Sequence, residues 1–148
     1  MKILKFDKAE IRKWGREIII KDLALRQKYH RAEIYGVDNI PKKGGALIVS
    51  NHGKMGYDAL ILGKLIWDNT GRLPRGLADH IVFKFPILGS ILPELGAVDG
   101  TRENAVKLLQ EGELAICFPG GIYDVLNNSY GKEKIFWEGK YGFIKASL

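Results

Sequence analysis

The chain has a single cysteine, Cys117, so no intrachain disulfide can form. Its place in the apolar run Leu114 to Phe118 predicts a reduced, buried thiol rather than a nucleophile. No stretch reaches the roughly 18 uninterrupted apolar residues of a spanning helix, and the N-terminus lacks the apolar core and small-residue cleavage site of a signal peptide. Neither a spanning nor a secreted protein is expected. Repeats, low-complexity tracts and a dividing linker are also missing, and 148 residues with 46% hydrophobic and 27% charged content predict one globular unit with a real core.

An excess of positive charge is present, and it is local. Residues 1–43 hold 12 Lys/Arg against 6 Asp/Glu, whereas residues 44–148 hold 11 of each. Residues 9–28 read as an amphipathic helix with Ile11, Trp14, Ile18 and Leu25 on one face and basic residues between them, although Gly15 weakens it. Such a helix either lies on an anionic membrane surface with Trp14 at the interface or packs on the domain with its lysines in water. Residues 1–30 are therefore set apart as a basic helical segment from a domain over 31–148. Aromatic interleaving is sparse, carried in and beside the helix by Trp14 and Tyr29, which argues against a nucleic-acid interface.

Strands and helices then alternate. Arg31 to Tyr35 is a strand candidate, followed by a turn-rich loop over 36–45. Ala46 to Val49 is short and apolar, as expected of a strand buried on both faces. A polar loop with His52 follows, and a helix begins at Asp58, where an acid complements the dipole. Leu77 to Phe83 looks like a strand, and the Pro- and Gly-broken apolar run 85–95 like at best a short helix. Gly96 to Asp99 predicts a further strand. Thr101 or Asp99 as cap, Glu103 in the first turn, the face Ala105, Leu108 and Leu109, and the stop at Gly112 predict a helix. Leu114 to Phe118 is another buried strand, ended by Pro119, Gly120 and Gly121. The remainder reads as a loop and the start of a helix near Tyr141.

This alternation implies an α/β sandwich with its loops gathered beyond the carboxyl ends of the strands. That edge would carry His52, Asp58, Asp79, His80, Arg102 and Pro119 to Gly121. An imidazole oriented by a carboxylate can take a proton from an acceptor hydroxyl. With no evident nucleophilic serine or cysteine, direct attack by that hydroxyl is the more economical chemistry. A glycine-rich turn can present N–H groups to an anion or oxyanion, and an arginine at a helix start can grip an anion beside exposed amides. A lone His and Asp would more often be structural. A metal-dependent hydrolase built from His52, Asp58, Asp79 and His80 is a rival, without a recognised ligand spacing. His80 reads as a core or supporting residue and Lys54 as a solvated charge.

The ordered blocks Ser50-Asn-His-Gly-Lys-Met-Gly-Tyr-Asp58, Ala78-Asp-His-Ile-Val-Phe-Lys-Phe-Pro86, Gly96-Ala-Val-Asp-Gly-Thr-Arg-Glu-Asn104, Gly112-Glu-Leu-Ala-Ile-Cys-Phe-Pro-Gly-Gly121 and Tyr141-Gly-Phe-Ile-Lys145 resemble the glycerolipid acyltransferase superfamily, which includes the lysophosphatidic acid acyltransferases. The branch most resembled is that of the diacylglycerol acyltransferase type 2-like and transmembrane-protein acyltransferases. The resemblance implies an αβα sandwich with a mostly parallel sheet. It also implies acyl transfer from a thioester, acyl-CoA or acyl carrier protein, to a hydroxyl of a glycerolipid-type acceptor. His52 matches the general base and Asp58 the acid that orients it. Asn51, Gly53, Arg102, Phe118, Pro119, Gly120 and Gly121 match substrate-binding positions, with Arg102 on a phosphate where the acceptor carries one. The resemblance implies no metal or other cofactor. With the basic helix lying on a membrane surface, a peripheral place on the cytoplasmic face of a membrane is expected.

Five residues separate His52 from Asp58, one more than in most members, a spacing the resembled branch tolerates. Gly120 stands where phosphate-acceptor members usually carry a glutamate, so a lysophosphatidate acceptor fits less well. Asp124 either supplies that carboxylate or is a plain surface aspartate. The family's domain normally continues with further strands and helices, so the sheet is expected to be incomplete at its C-terminus or the chain to be an unusually short version. The rival within this fold is a catalytically idle module that binds lipid or membrane surfaces.

Overall fold

The computed structural model describes residues 8–53, 56–127, 137, 139 and 141–147. Its elements run α1 (Lys8–Tyr29), β1 (Ala46–Val49), α2 (Asp58–Thr70), β2 (Arg75–Ala78), α3 (Leu88–Ile91), β3 (Ala97–Asp99), α4 (Arg102–Gln110), β4 (Leu114–Cys117), α5 (Ile122–Asn127) and α6 (Gly142–Ser147). The four strands form one all-parallel sheet in the order β1-β4-β2-β3, an α/β architecture as expected. In a parallel sheet every carboxyl end faces the same edge, so the loops after β1, β2, β3 and β4 share it.

The connection from β1 through α2 to β2 crosses the sheet in one direction, and that from β3 through α4 to β4 crosses back. Right-handed crossovers then place α2 and α4 on opposite faces, the layering of an αβα sandwich. Side-chain packing agrees. Ile66 of α2 packs with Leu114 and Ile116 of β4, while the alternating Ala115 and Cys117 turn to the other face, where α4 contacts β4 and buries Ala105 and Leu108. Full burial of Ile66 or Leu114 contributes about 1.5–3 kcal/mol each. Burial also pushes the Cys117 thiol up to about 11, which keeps it protonated and inert.

Five expectations need correcting. β1 lies at one edge of the described sheet and is only half-buried; β4 is the strand buried throughout. Arg31 to Tyr35 is not a strand. Arg31 adopts a positive φ, and Ala32 and Ile34 serve instead as packing against the cores beneath α1 and α2. The third apolar run is a strand only over Arg75–Ala78, because Asp79 then caps a 3-10 turn over His80–Lys84 by accepting a hydrogen bond from the Ile81 amide at 2.9 Å. A short helix, α5, follows Gly121 directly where a loop was expected.

The fifth concerns α1. Its domain-facing side is carried by Gly15, Ile19 and Leu23: Leu23 is buried with Ile61 and Leu65 of α2, Ile19 packs on them, and a Cβ at Gly15 would overlap Ile91. The glycine, which inside a helix costs stability, thus lets the Ile91 side chain lie against the α1 backbone. Trp14, Ile18 and Leu25 lie outside this contact, 62%, 66% and 69% exposed. The basic helix therefore has two apolar sides, one packed and one in solvent. Among the described residues no helix is long and apolar enough to cross a membrane.

Candidate functional site

β1 hands the chain to its loop beside β4: the Ser50 amide donates to the Cys117 carbonyl at 3.1 Å, continuing the strand pairing by one residue. His52 follows, and the chain turns back into α2 with Asp58 in its first turn. There the carboxylate is favoured by the helix dipole. It reaches back to His52, whose Nδ1 is 3.2 Å from both carboxylate oxygens, and Oδ2 also accepts the Gly53 amide at 2.8 Å. Five intervening residues thus close the pair, through the helix start and a turn with Gly56 at φ 70°.

Burial alone would raise the Asp58 carboxyl. The hydrogen bonds from the His52 ring and the Gly53 amide, together with the attraction of His52, outweigh it and hold the carboxyl below its ordinary value. Asp58 is therefore an anion against Nδ1, which selects the tautomer with hydrogen at Nδ1 and leaves the basic lone pair at Nε2.

The neighbouring strand supplies the imidazole's support. Phe118 leaves β4 beside His52, and the two rings stack with centroids 4.0 Å apart and planes 13° from parallel. The Phe118–Gly121 turn closes through the Gly121 amide on the Phe118 carbonyl at 2.9 Å, with Gly121 at φ 53°. Pro119 is half-buried and Gly120 buried. Asp124, on α5, is completely buried, which corrects the reading of it as a surface aspartate. Its Oδ2 lies 3.5 Å from the His52 amide nitrogen. Only the sequence offset from Gly120 hinted at it.

Other candidates stand apart. Asn51 is exposed on the loop. Arg102 is the exposed first residue of α4, which Thr101 caps by accepting the Asn104 amide at 3.2 Å. It follows β3, at the edge of the sheet opposite β1, so the strands that lead to Arg102 and His52 are three spacings, about 14 Å, apart. Asp79 caps its turn, and His80 is 63% exposed with Nδ1 4.0 Å from Asp99, not a core residue. Among the described residues no group of three or more His, Cys, Asp or Glu side chains could hold a metal ion. Lys54 lies outside the described residues.

A contact not anticipated from the sequence joins α1 to this loop. Tyr57, adjacent to Asp58, places its hydroxyl 3.0 Å from His30 Nε2 and its ring under Arg26, 5.1 Å from centroid to guanidinium. Arg26 is itself paired with Asp22 at 2.5 Å.

A family model described as Acyltransferase matches residues 31–147. The bovine and human proteins named "DGAT1/2-independent enzyme synthesizing storage lipids" are each 34% identical over 122 residues, 81% of this chain but 36% and 37% of their own length. An uncharacterized protein of Mycobacterium leprae is 32% identical over 125 residues, 82% of this chain and 34% of its own. The chain thus spans about a third of the length of these relatives. No solved structure gives a significant match. With a family match that begins just after α1 and runs through every strand of the sheet, the chain belongs to the acyltransferase family.

Proposed function

We propose that the chain carries the reacting centre of a lipid O-acyltransferase that moves a fatty acyl group from an acyl thioester, acyl-CoA or acyl carrier protein, to a hydroxyl of a glycerolipid-type acceptor. The observation that carries this reading is the contact of His52 Nδ1 with both oxygens of Asp58 at 3.2 Å. In it, His52 Nε2 takes the acceptor hydroxyl proton as the oxygen attacks the thioester carbonyl. The tetrahedral intermediate collapses, the C–S bond breaks, and the thiolate leaves with the proton returned by the imidazolium. Asp58 stabilises that imidazolium and fixes the ring. The glycine-rich turn Phe118–Gly121, stacked on His52 through Phe118, is assigned to substrate binding. Arg102, at the far side of the strand ends, serves the distal part of a long acceptor rather than the reacting atoms. The names of the bovine and human relatives favour a storage lipid over a phospholipid product.

The same reading places the protein peripherally on the cytoplasmic face of a membrane. Its support is the solvent-facing side of α1, where Trp14, Ile18 and Leu25 alternate with Arg12, Lys13, Arg16 and Lys21, a composition suited to the headgroup region of an anionic bilayer. Residues 1–30 would then be the docking segment and 31–148 the acyltransferase domain. The test is incubation with labelled acyl-CoA and a panel of lysolipids, monoacylglycerol and diacylglycerol, wild type against His52→Ala. Transfer that disappears with the substitution supports the mechanism, and transfer that survives overturns it. Liposome binding without turnover would favour an idle lipid-surface module.

A further inference from the structure

We propose that Asp124 is a positioning residue of the His52–Asp58 pair, and that Gly120 is glycine because the Asp124 carboxylate occupies the space a side chain there would need. Three observations converge. Asp124 is the one charged residue among the fully buried side chains described, at 0% exposure. Its Oδ2 lies 3.5 Å from the His52 amide nitrogen, across 72 residues of sequence. A Cβ built on Gly120 would overlap the carboxylate at its Cγ and at both oxygens. The acid is thus folded back from α5 onto the turn after β4, and it faces the loop after β1.

The consequence for the imidazole is mechanical. Asp58 holds the ring at Nδ1 and Phe118 holds its face, but both act on the side chain. Asp124 acts on the backbone from which that side chain projects, and it lies six residues beyond Phe118. A single buried group therefore ties together the two loops that must keep their spacing for the stack and the hydrogen bond to coexist. Burial of a carboxylate is unfavourable unless polar groups surround it, so its retention here matches a role at the reacting centre better than a role in packing. No proton transfer is assigned to it.

The catalytic half of this inference rests on the acyltransferase reading; the structural half does not, and the experiment separates them. Hydrogen exchange at the His52 amide is followed by NMR in wild type, Asp124→Ala, Asp124→Asn, Gly120→Ala and the double variant Gly120→Ala/Asp124→Ala, with the β4 amides as an internal reference for folding. Loss of the acceptor in Asp124→Ala should speed His52 exchange about tenfold, while Asp124→Asn, whose amide oxygen still accepts, restores most of the protection. Gly120→Ala should reproduce Asp124→Ala by displacing the carboxylate. The double variant should be no worse than Asp124→Ala, since the methyl then enters vacated space. Acyl transfer measured alongside should lose kcat in Asp124→Ala with the thioester KM changed less than about threefold.

Unchanged His52 exchange in Asp124→Ala, or losses that add in the double variant, would overturn the proposal. Should the alanine variant unfold, the Asp124→Asn and Gly120→Ala comparison still decides it: protection retained in the first and lost in the second upholds the proposal, and any other pattern defeats it. A wild-type protein without turnover counts against the acyltransferase reading alone, because the exchange data still decide the part played by Asp124.

Discussion

The imidazole of His52 lies flat on the ring of Phe118, 4.0 Å away and 13° from parallel. Because Phe118 follows β4 and His52 follows β1, adjacent strands paired in register from Ala46–Leu114 to Val49–Cys117, sheet pairing itself brings the rings together. Removing the face should loosen the ring without removing the base. Stacked aromatic pairs contribute about 0.5–1.5 kcal/mol beyond their buried area. Phe118→Leu should accordingly lower kcat for acyl transfer roughly threefold to tenfold, with His52→Ala far more severe. Steady-state kinetics on the two variants would check the order.

Asp58 acts on the charge and tautomer of the same ring. Asp58→Asn keeps the volume but lets Nδ1 accept a hydrogen bond, moving the ring proton to Nε2, where the base is needed. The expected loss in kcat is about 10²–10⁴-fold, the usual contribution of a positioned acid–base group, with the fold retained by circular dichroism.

The depressed Asp58 carboxyl also gives stability a pH dependence. A group whose folded value lies below its unfolded value of 3.8 contributes stability that is fully present above 3.8 and is lost as pH falls through the lower folded value. Wild type should therefore lose stability below pH 3.8 more steeply than Asp58→Asn. Urea denaturation of both proteins over that acidic range measures the difference, and parallel curves would contradict it.

α1 presents two apolar sides, which separate by mutation. Leu23→Ala removes packing buried against α2 and should cost about 2–5 kcal/mol in urea unfolding. Trp14→Ser or Leu25→Ser, on the exposed side, should leave stability within about 0.5 kcal/mol. The same exposed-side changes should weaken sedimentation with anionic liposomes roughly tenfold each.

Features written in local chemistry were legible before the structure. Thr101 and Gly112 bound α4 as their types require, and Asp58 opens α2. His52 and Asp58 were singled out by loop position and residue type, and the fold brings them into contact. What escaped was decided by distant partners. Asp79 was read as part of a strand end, yet its side chain captures the Ile81 amide and turns the apolar residues after it into a 3-10 turn. Periodicity put Trp14, Ile18 and Leu25 on one face of α1, but the domain is met by the side where Gly15 lets Ile91 approach. Asp124 stayed open between the missing carboxylate and a surface acid, because its offset from Gly120 hints at the first and nothing beside it in sequence decides that it turns back under Gly120. Arg102 and His52 share an edge of the sheet, and only the strand order shows how far apart that edge holds them.

That order also bears on assembly. β4 comes last of the described strands and lies between β1 and β2, so β1 has no partner in the described sheet until Leu114–Cys117 arrives. The loop bearing His52 thus depends on a non-local pairing, the kind that forms late and slowly in a folding reaction. During synthesis β2 and β3 can pair as soon as both are made, whereas β1 must wait. The loop bearing His52 meets Phe118 and Asp124 only when β4 slides into the gap between β1 and β2.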